Sequence, residues 1–88
     1  MNRMALIEFY GEECSHCENM APLVQQLEKE GFKIQKLETW HHDENESKRQ
    51  KIDKGMCGGV PFFFNTDSGK FICGEESYEA LKAWAAGE

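Results

Sequence analysis

Hydrophobic spacing typical of an amphipathic helix follows the first apolar run of the chain. Met20, Leu23, Val24 and Leu27 fall at positions i, i+3, i+4 and i+7, and Gly31 follows where a helix can end. The full pattern predicts the order β-α-β-α-β-β-α, with strands at 4–10, 32–37, 60–64 and 70–73, helices at 15–30 and 43–54, and a closing helix marked by Tyr78, Leu81 and Trp84.

The connections between these elements predict an α/β fold. A helix between the first two strands implies a parallel pair with a right-handed crossover, and the short turn at 65–69 implies an antiparallel hairpin. We therefore expect a mixed four-stranded sheet flanked by three helices, in a single domain over 1–88. Ile52 is the only large apolar residue of the second helix, so we expect this helix to attach loosely, with Arg49 on a solvated face.

The composition limits the kinds of molecule that this protein is expected to bind. The formal net charge of −6 disfavours binding to nucleic acid and to anionic membranes. No run approaches the ~20 apolar residues that a membrane-spanning helix needs, and the apolar run after Arg3 is too short for a signal peptide. We therefore expect a cytoplasmic monomer. Because stable disulfides are rare in that compartment, the four cysteines need another explanation.

The motif Cys14-Ser15-His16-Cys17 stands where the first strand gives way to the first helix. Unpaired N–H groups and the dipole at a helix N-terminus stabilise negative charge, so we expect a lowered pKa and a nucleophilic role for the Cys14 thiol. Cys17 lies one turn further along the same face, close enough to form a disulfide with Cys14. A cationic His16 would further stabilise the thiolate, whereas Glu12-Glu13 acts against it.

Four landmarks in order resemble the thioredoxin superfamily, at the size of a glutaredoxin. They are the strand Leu6–Tyr10, the C-x-x-C motif with Pro22 five residues beyond Cys17, the segment Gly59-Val60-Pro61, and Cys73-Gly74 before the last helix. The resemblance covers nearly the whole chain and implies a thioredoxin fold. It also implies a cis peptide bond before Pro61, facing the C-x-x-C disulfide.

The resemblance further implies a thiol–disulfide oxidoreductase that acts on protein disulfides. Cys14 would attack the partner disulfide, and Cys17 would resolve the mixed disulfide. Glu8, with Lys36 beside it, would have a pKa raised by desolvation and would accept the Cys17 proton. The residues expected to bind substrate are Val60, Pro61, Trp40 and Gly74. We expect no cofactor beyond the redox-active disulfide, and an external reductant, either a thioredoxin reductase-like protein or glutathione.

Two features depart from the family pattern. Ser15-His16 is neither Gly-Pro nor Pro-Tyr, and it is closer to the X-His pair of oxidising members. Glu13 replaces the tryptophan that commonly precedes the first cysteine, so the surface is more acidic and less suited to anionic glutathione. These departures leave the direction of electron flow open.

The remaining cysteines allow alternatives. Cys57 and Cys73 would lie near the same end of the fold as the C-x-x-C motif, either as a second thiol pair that relays to or regulates the first, or as small buried side chains. A different interpretation is a zinc or iron–sulfur module that uses them together with Cys14 and Cys17. A third is a binding or chaperone module with incidental thiols. His41-His42 is expected to be a solvated loop pair.

Overall fold

The structure, a computed structural model, describes residues 6–88 of the chain. Its strands are β1 (Leu6–Tyr10), β2 (Ile34–Glu38), β3 (Phe62–Asn65) and β4 (Phe71–Cys73), and its helices are α1 (Ser15–Lys29), α2 (Asp43–Asp53) and α3 (Tyr78–Ala86). This order confirms the β-α-β-α-β-β-α prediction. Positions 4 and 5 of the predicted first strand lie outside the described residues.

The strands form one mixed sheet in the order β2-β1-β3-β4. β1 runs parallel to β2 and antiparallel to β3, and β3 pairs with β4 as an antiparallel hairpin. The predicted parallel crossover and hairpin are therefore both confirmed. β1 is an inner strand of the sheet, so the position of its carboxyl end is fixed by the strands on both sides. The turn at 11–14 follows this end, and α1 begins directly after the turn.

Side chains along β1 point alternately to the two faces of the sheet, and an apolar core lies on each face. Leu6 packs on one face with side chains of α1, β3 and α3, namely Met20, Val24, Leu27, Phe63, Leu81, Trp84 and Ala85. Ile7 and Phe9 pack on the other face with Phe62, and Ile52 of α2 covers them. Helices therefore lie on both faces, as predicted. Glu8 alternates onto the face of Leu6, where it is buried.

The expectation of a solvated face at Arg49 is wrong. This residue is only 6% exposed, and its guanidinium donates to the Glu46 carboxylate at 2.8 Å and to the Asp53 carboxylate at 2.7 Å. A buried charge needs such partners, since an unpaired one is very costly in an apolar interior. Both partners of Arg49 belong to α2 itself. Asp53 also accepts the N–H groups of Cys57 and Gly58, which joins the end of α2 to the following loop, and Ile52 packs against the core.

Candidate active site

The sulfur of Cys14 caps the N-terminus of α1. Cys14 is the residue before the first helical turn, and the backbone N–H of Cys17 donates to its Sγ at 3.1 Å. The N–H of Cys14 in turn donates to the carbonyl of Gly11 at 3.1 Å, which closes the preceding turn. A sulfur thus occupies the place where a helix most favours negative charge.

Cys14 and Cys17 are joined in a disulfide, with their Cα atoms 5.2 Å apart. Each residue is 5% exposed, so little of the pair is open to solvent. The disulfide that the spacing of the C-x-x-C motif predicts is therefore present in the structure. This spacing brings two sulfurs into bonding contact within one helical turn.

The loop before β3 faces this disulfide. The Val60–Pro61 peptide bond is cis, and the carbonyl oxygen of Val60 lies 4.0 Å from Cys14 Sγ. Gly74, at the end of β4, donates its N–H to the carbonyl of Pro61 at 2.8 Å. Three of the four residues expected to bind substrate are therefore brought together, with Val60 next to Cys14.

Trp40, the fourth, lies half exposed over the turn that precedes the cysteines. Its indole covers Gly11 so closely that a Cβ at position 11 would overlap the ring. Together with Thr39, Gly59 and Val60, the ring lines a shallow groove next to the disulfide. A glycine at position 11 is therefore required for the tryptophan to lie flat against the active-site turn.

Glu8 is buried in β1, where it is 5% exposed. Burial raises the pKa of its carboxyl to about 7, against the opposing effect of the Lys36 charge on the neighbouring strand. Lys36 is the register partner of Glu8 in β2, and its ammonium donates to Glu28 at 3.1 Å. Glu8 and Cys17 both line one cavity of about 290 Å³, which opens toward solvent.

His16 is turned toward the β4–α3 connection. Its Nδ1 lies 2.6 Å from the carboxylate of Glu75, which also accepts a hydrogen bond from Asn19 at 3.0 Å. The hydrogen bonds from His16 and then Asn19 lower the pKa of Glu75 below its usual range. A protonated His16 would therefore be partly neutralised by Glu75, and its effect on Cys14 would be weaker than that of a free imidazolium.

Glu38 is a functional neighbour that the sequence did not indicate. Its buried carboxylate accepts hydrogen bonds from the backbone N–H groups of Glu12, Trp40 and His41 and from the ring of His42. Burial acts to raise its pKa, but these bonds outweigh burial and lower the pKa to about 2. One carboxylate thus ties the turn before Cys14 to the loop that carries the tryptophan, although no local signal marks it.

The negative charge of Glu12-Glu13, the acidic pair before Cys14, is partly compensated by His41. The Glu13 carboxylate meets Nε2 of His41 at 2.8 Å, and this hydrogen bond raises the pKa of His41 above its usual range. Glu12, Glu13 and His41 also form the one group of possible metal ligands in residues 6–88 whose ligand atoms lie within 4.8 Å of one another. All three are exposed, and both carboxylates lie within ion-pair distance of the His41 ring, so we assign no metal site to them.

The other two cysteines form a separate pair. Cys57 and Cys73 are joined in a disulfide, with their Cα atoms 5.4 Å apart. The four sulfurs are therefore divided between two disulfides, whereas the zinc or iron–sulfur interpretation needs them as thiolates around one centre.

The Glu38 carboxylate should control the order of both active-site loops. In the Glu38→Gln variant, the amides of Glu12, Trp40 and His41 should exchange hydrogen at least about tenfold faster, because a charged acceptor shared by several donors is lost. NMR-detected amide exchange measures this. Glu44→Gln, an exposed site in α2, is the matched control and should leave these amides unchanged. Equal protection in the two variants would contradict the assignment.

The raised pKa of Glu8 should appear as a pH-dependent cost to stability. The folded chain holds this proton up to about pH 7, whereas the unfolded chain releases it near 4.5, so stability falls as pH rises between these values. We expect the Glu8→Gln variant to gain about 3 kcal/mol relative to the parent chain between pH 4 and pH 8. Urea unfolding measures the difference, and exposed Glu79→Gln should show no such change.

In the described part of the chain, residues 6–88, no helix is both long and apolar enough to cross a membrane.

Comparison with known proteins agrees with this architecture. No curated protein sequence matches the chain. Among solved structures, the chain is similar to the oxidized form of mitochondrial thioredoxin 3 from Saccharomyces cerevisiae, with a TM-score of 0.70 and 20% identity over 100% of this chain and 81% of that one. This likeness confirms the thioredoxin fold. The sequence model of the Thioredoxin family matches residues 1–86. The chain therefore belongs to the thioredoxin family.

Proposed function

We propose that this protein is a thiol–disulfide oxidoreductase that exchanges its Cys14–Cys17 dithiol with disulfides of other proteins. The observation that carries the proposal is the position of Cys14 Sγ at the N-terminus of α1, where it accepts the N–H of Cys17. The same N–H would stabilise a thiolate on Cys14 after reduction, which makes this sulfur the nucleophile of the pair.

The reaction proceeds by two exchanges. The Cys14 thiolate attacks one sulfur of the substrate disulfide, that bond breaks, and the other substrate sulfur leaves as a thiolate and takes up a proton. Cys17 then loses its proton and attacks Cys14 Sγ in the mixed disulfide, which releases the second substrate thiol. Two electrons have passed to the substrate, and Cys14 and Cys17 end as the disulfide seen in the structure.

Glu8 is the proton acceptor in the second exchange. Its carboxyl shares the cavity with Cys17, and its pKa of about 7 leaves the acid and the base forms both populated near neutral pH. The cavity opens toward solvent, so the proton can leave the protein once Cys17 has reacted. Lys36 acts through Glu8, since its charge favours the carboxylate form.

The substrate chain binds along the loop before β3. The Val60 carbonyl stands 4.0 Å from the sulfur that reacts, so an extended substrate segment that pairs with the backbone there would bring its own sulfur to Cys14. The hydrogen bond from the Gly74 N–H to the Pro61 carbonyl holds this loop. Trp40 offers an exposed apolar surface nearby. His16 lies at the rim with Glu75 and adjusts the charge of this surface.

Electrons come from an external reductant, and the protein itself needs no cofactor beyond its disulfide. The acidic side chains near Cys14 favour a reductase-like protein over anionic glutathione. We further propose that the chain forms one domain, that it works as a monomer, and that it acts in the cytoplasm, where a reversible dithiol has a use that a permanent disulfide lacks.

Three proteins tested side by side decide the proposal. With a dithiol as reductant, the parent chain should reduce a protein disulfide with turnover, and Cys14→Ser should be inactive because the nucleophile is lost. Reduced Cys17→Ser, freed of the dithiol before the substrate is added, should stop after the first exchange and accumulate a mixed disulfide on Cys14, which mass spectrometry detects. Turnover by Cys14→Ser equal to that of the parent chain would contradict the proposal.

Loss of the Glu8 carboxylate should slow the second exchange. We expect Glu8→Gln to lower the rate of mixed-disulfide decay by about 10²-fold, within the usual range for removal of a general base. The parent rate should rise with pH through about 7, and the variant should lack that rise. Acid-quenched single-turnover experiments measure both. Exposed Glu79→Gln should retain the parent profile, and a Glu8→Gln profile equal to it would rule out the proton-acceptor role.

A further inference from the structure

The Cys57–Cys73 disulfide is more accessible than the disulfide at the end of α1. Cys73 is the last residue of β4, which is an edge strand of the sheet, and it is exposed to solvent. Cys57 is half buried against the core on the α2 face. Cys73 is therefore the more open residue for attack by an external thiolate, since Cys14 and Cys17 are each only 5% exposed.

This second disulfide is also next to the substrate loop. Only Gly58, Gly59 and Val60 separate Cys57 from Pro61. The first of them has a φ of +79°, a backbone conformation that favours glycine, and the third places its carbonyl 4.0 Å from the reactive sulfur. Two adjacent glycines add no side-chain contacts of their own, so the position of this short loop depends on what holds its ends.

One end of the loop is held by α2 and the other by the sheet. The Asp53 carboxylate accepts the N–H groups of Cys57 at 2.6 Å and Gly58 at 2.7 Å. Burial acts to raise the pKa of Asp53, but these two N–H groups and Arg49 outweigh it, so the pKa lies below its usual range and the acceptor stays charged. The disulfide is the covalent link between this held end and Cys73, whose register partner in β3 is Phe62.

We propose that Cys57 and Cys73 form a second redox site, whose oxidised state fixes the substrate loop for the Cys14 reaction. The ligand class is a dithiol in solution or on another protein. Its thiolate attacks Cys73 Sγ, the S–S bond breaks, and Cys57 leaves as a thiolate that takes up a proton. The second thiol of the donor then displaces Cys73, so the donor becomes a disulfide and two electrons reach the pair.

Reduction of this pair removes the covalent link and leaves the loop with its hydrogen bonds alone. The carbonyl of Val60 then spends less time in the position that a substrate segment requires. The reduced state should therefore bind substrate more weakly, while the chemistry at Cys14, which depends on the end of α1, should be preserved. The expected effect on substrate binding rests on the proposed function, whereas the redox chemistry of the Cys57–Cys73 pair does not.

The redox activity of the pair is tested without the first site. In the Cys14→Ser, Cys17→Ser double variant, graded ratios of a dithiol to its disulfide should reduce Cys57 and Cys73 together in one two-electron step. Thiol alkylation followed by mass spectrometry counts the reduced fraction, and near-UV circular dichroism reports whether the fold persists. Reduction of the native fold supports the proposal, and reduction that occurs only together with unfolding overturns it.

The effect on substrate binding is tested with Cys17→Ser, in which Cys14 reacts once and the second disulfide stays intact. Its matched partner is the Cys17→Ser, Cys57→Ser, Cys73→Ser triple variant. We expect the half-saturating concentration of a protein disulfide to rise at least about threefold in the triple variant, with a limiting rate within about twofold. An unchanged half-saturating concentration overturns the link to substrate binding.

Two further outcomes have defined meanings. Should the serine pair unfold at the assay temperature, the Cys57→Ala, Cys73→Val pair replaces it and is judged by the same two readouts. Should Cys17→Ser fail to react with any protein disulfide, the proposed function fails, while the reduction experiment on the double variant still supports or overturns the second redox site.

Discussion

The rest of the site depends on one hydrogen bond, from the N–H of Cys17 to Cys14 Sγ at the start of α1. It exists because β1 ends inside the sheet and a tight turn, closed by the Gly11 carbonyl, places Cys14 at the cap position. A carboxylate or hydroxyl normally occupies such a position as the acceptor. A sulfur there caps the helix, and under the proposed function the same contact would stabilise it as a leaving group or nucleophile.

An acidic protein is an unexpected place for an anionic sulfur, since the chain carries a net charge of −6. The structure reduces the conflict by giving the nearby carboxyl groups protons or partners. The pKa of Glu8 is raised, so this carboxyl holds a proton more readily. Glu13 and Glu75 each have a histidine partner, and the Glu38 carboxylate accepts four hydrogen bonds. The Cys14 sulfur itself lies at the end of α1, whose N–H groups and dipole favour negative charge despite the formal charge of the chain.

Sequence alone predicted the features that depend on local spacing. The order of elements and the C-x-x-C pair follow from periodicity and from a motif that lies within a few residues, whereas the loop at Pro61 was implied by the resemblance to the thioredoxin superfamily. Contacts between distant segments were not predictable in this way. Glu38 accepts a hydrogen bond from Glu12, which lies 26 positions earlier, as well as from His41. Arg49 has partners within its own helix, but its burial depends on the surrounding fold and not on the helix pattern. The pairing of Cys57 with Cys73 is of the same kind, because spacing alone does not determine disulfide connectivity.

The charge state of the Cys14 sulfur is the most direct test of this account. In reduced Cys17→Ser, which keeps the backbone N–H at position 17, the alkylation rate of the Cys14 peptide can be followed against pH by mass spectrometry. The account predicts a midpoint at least about one unit below the ~8.5 of free cysteine. A midpoint at or above that of free cysteine would show that the end of α1 does not stabilise the thiolate, and it would contradict the central claim.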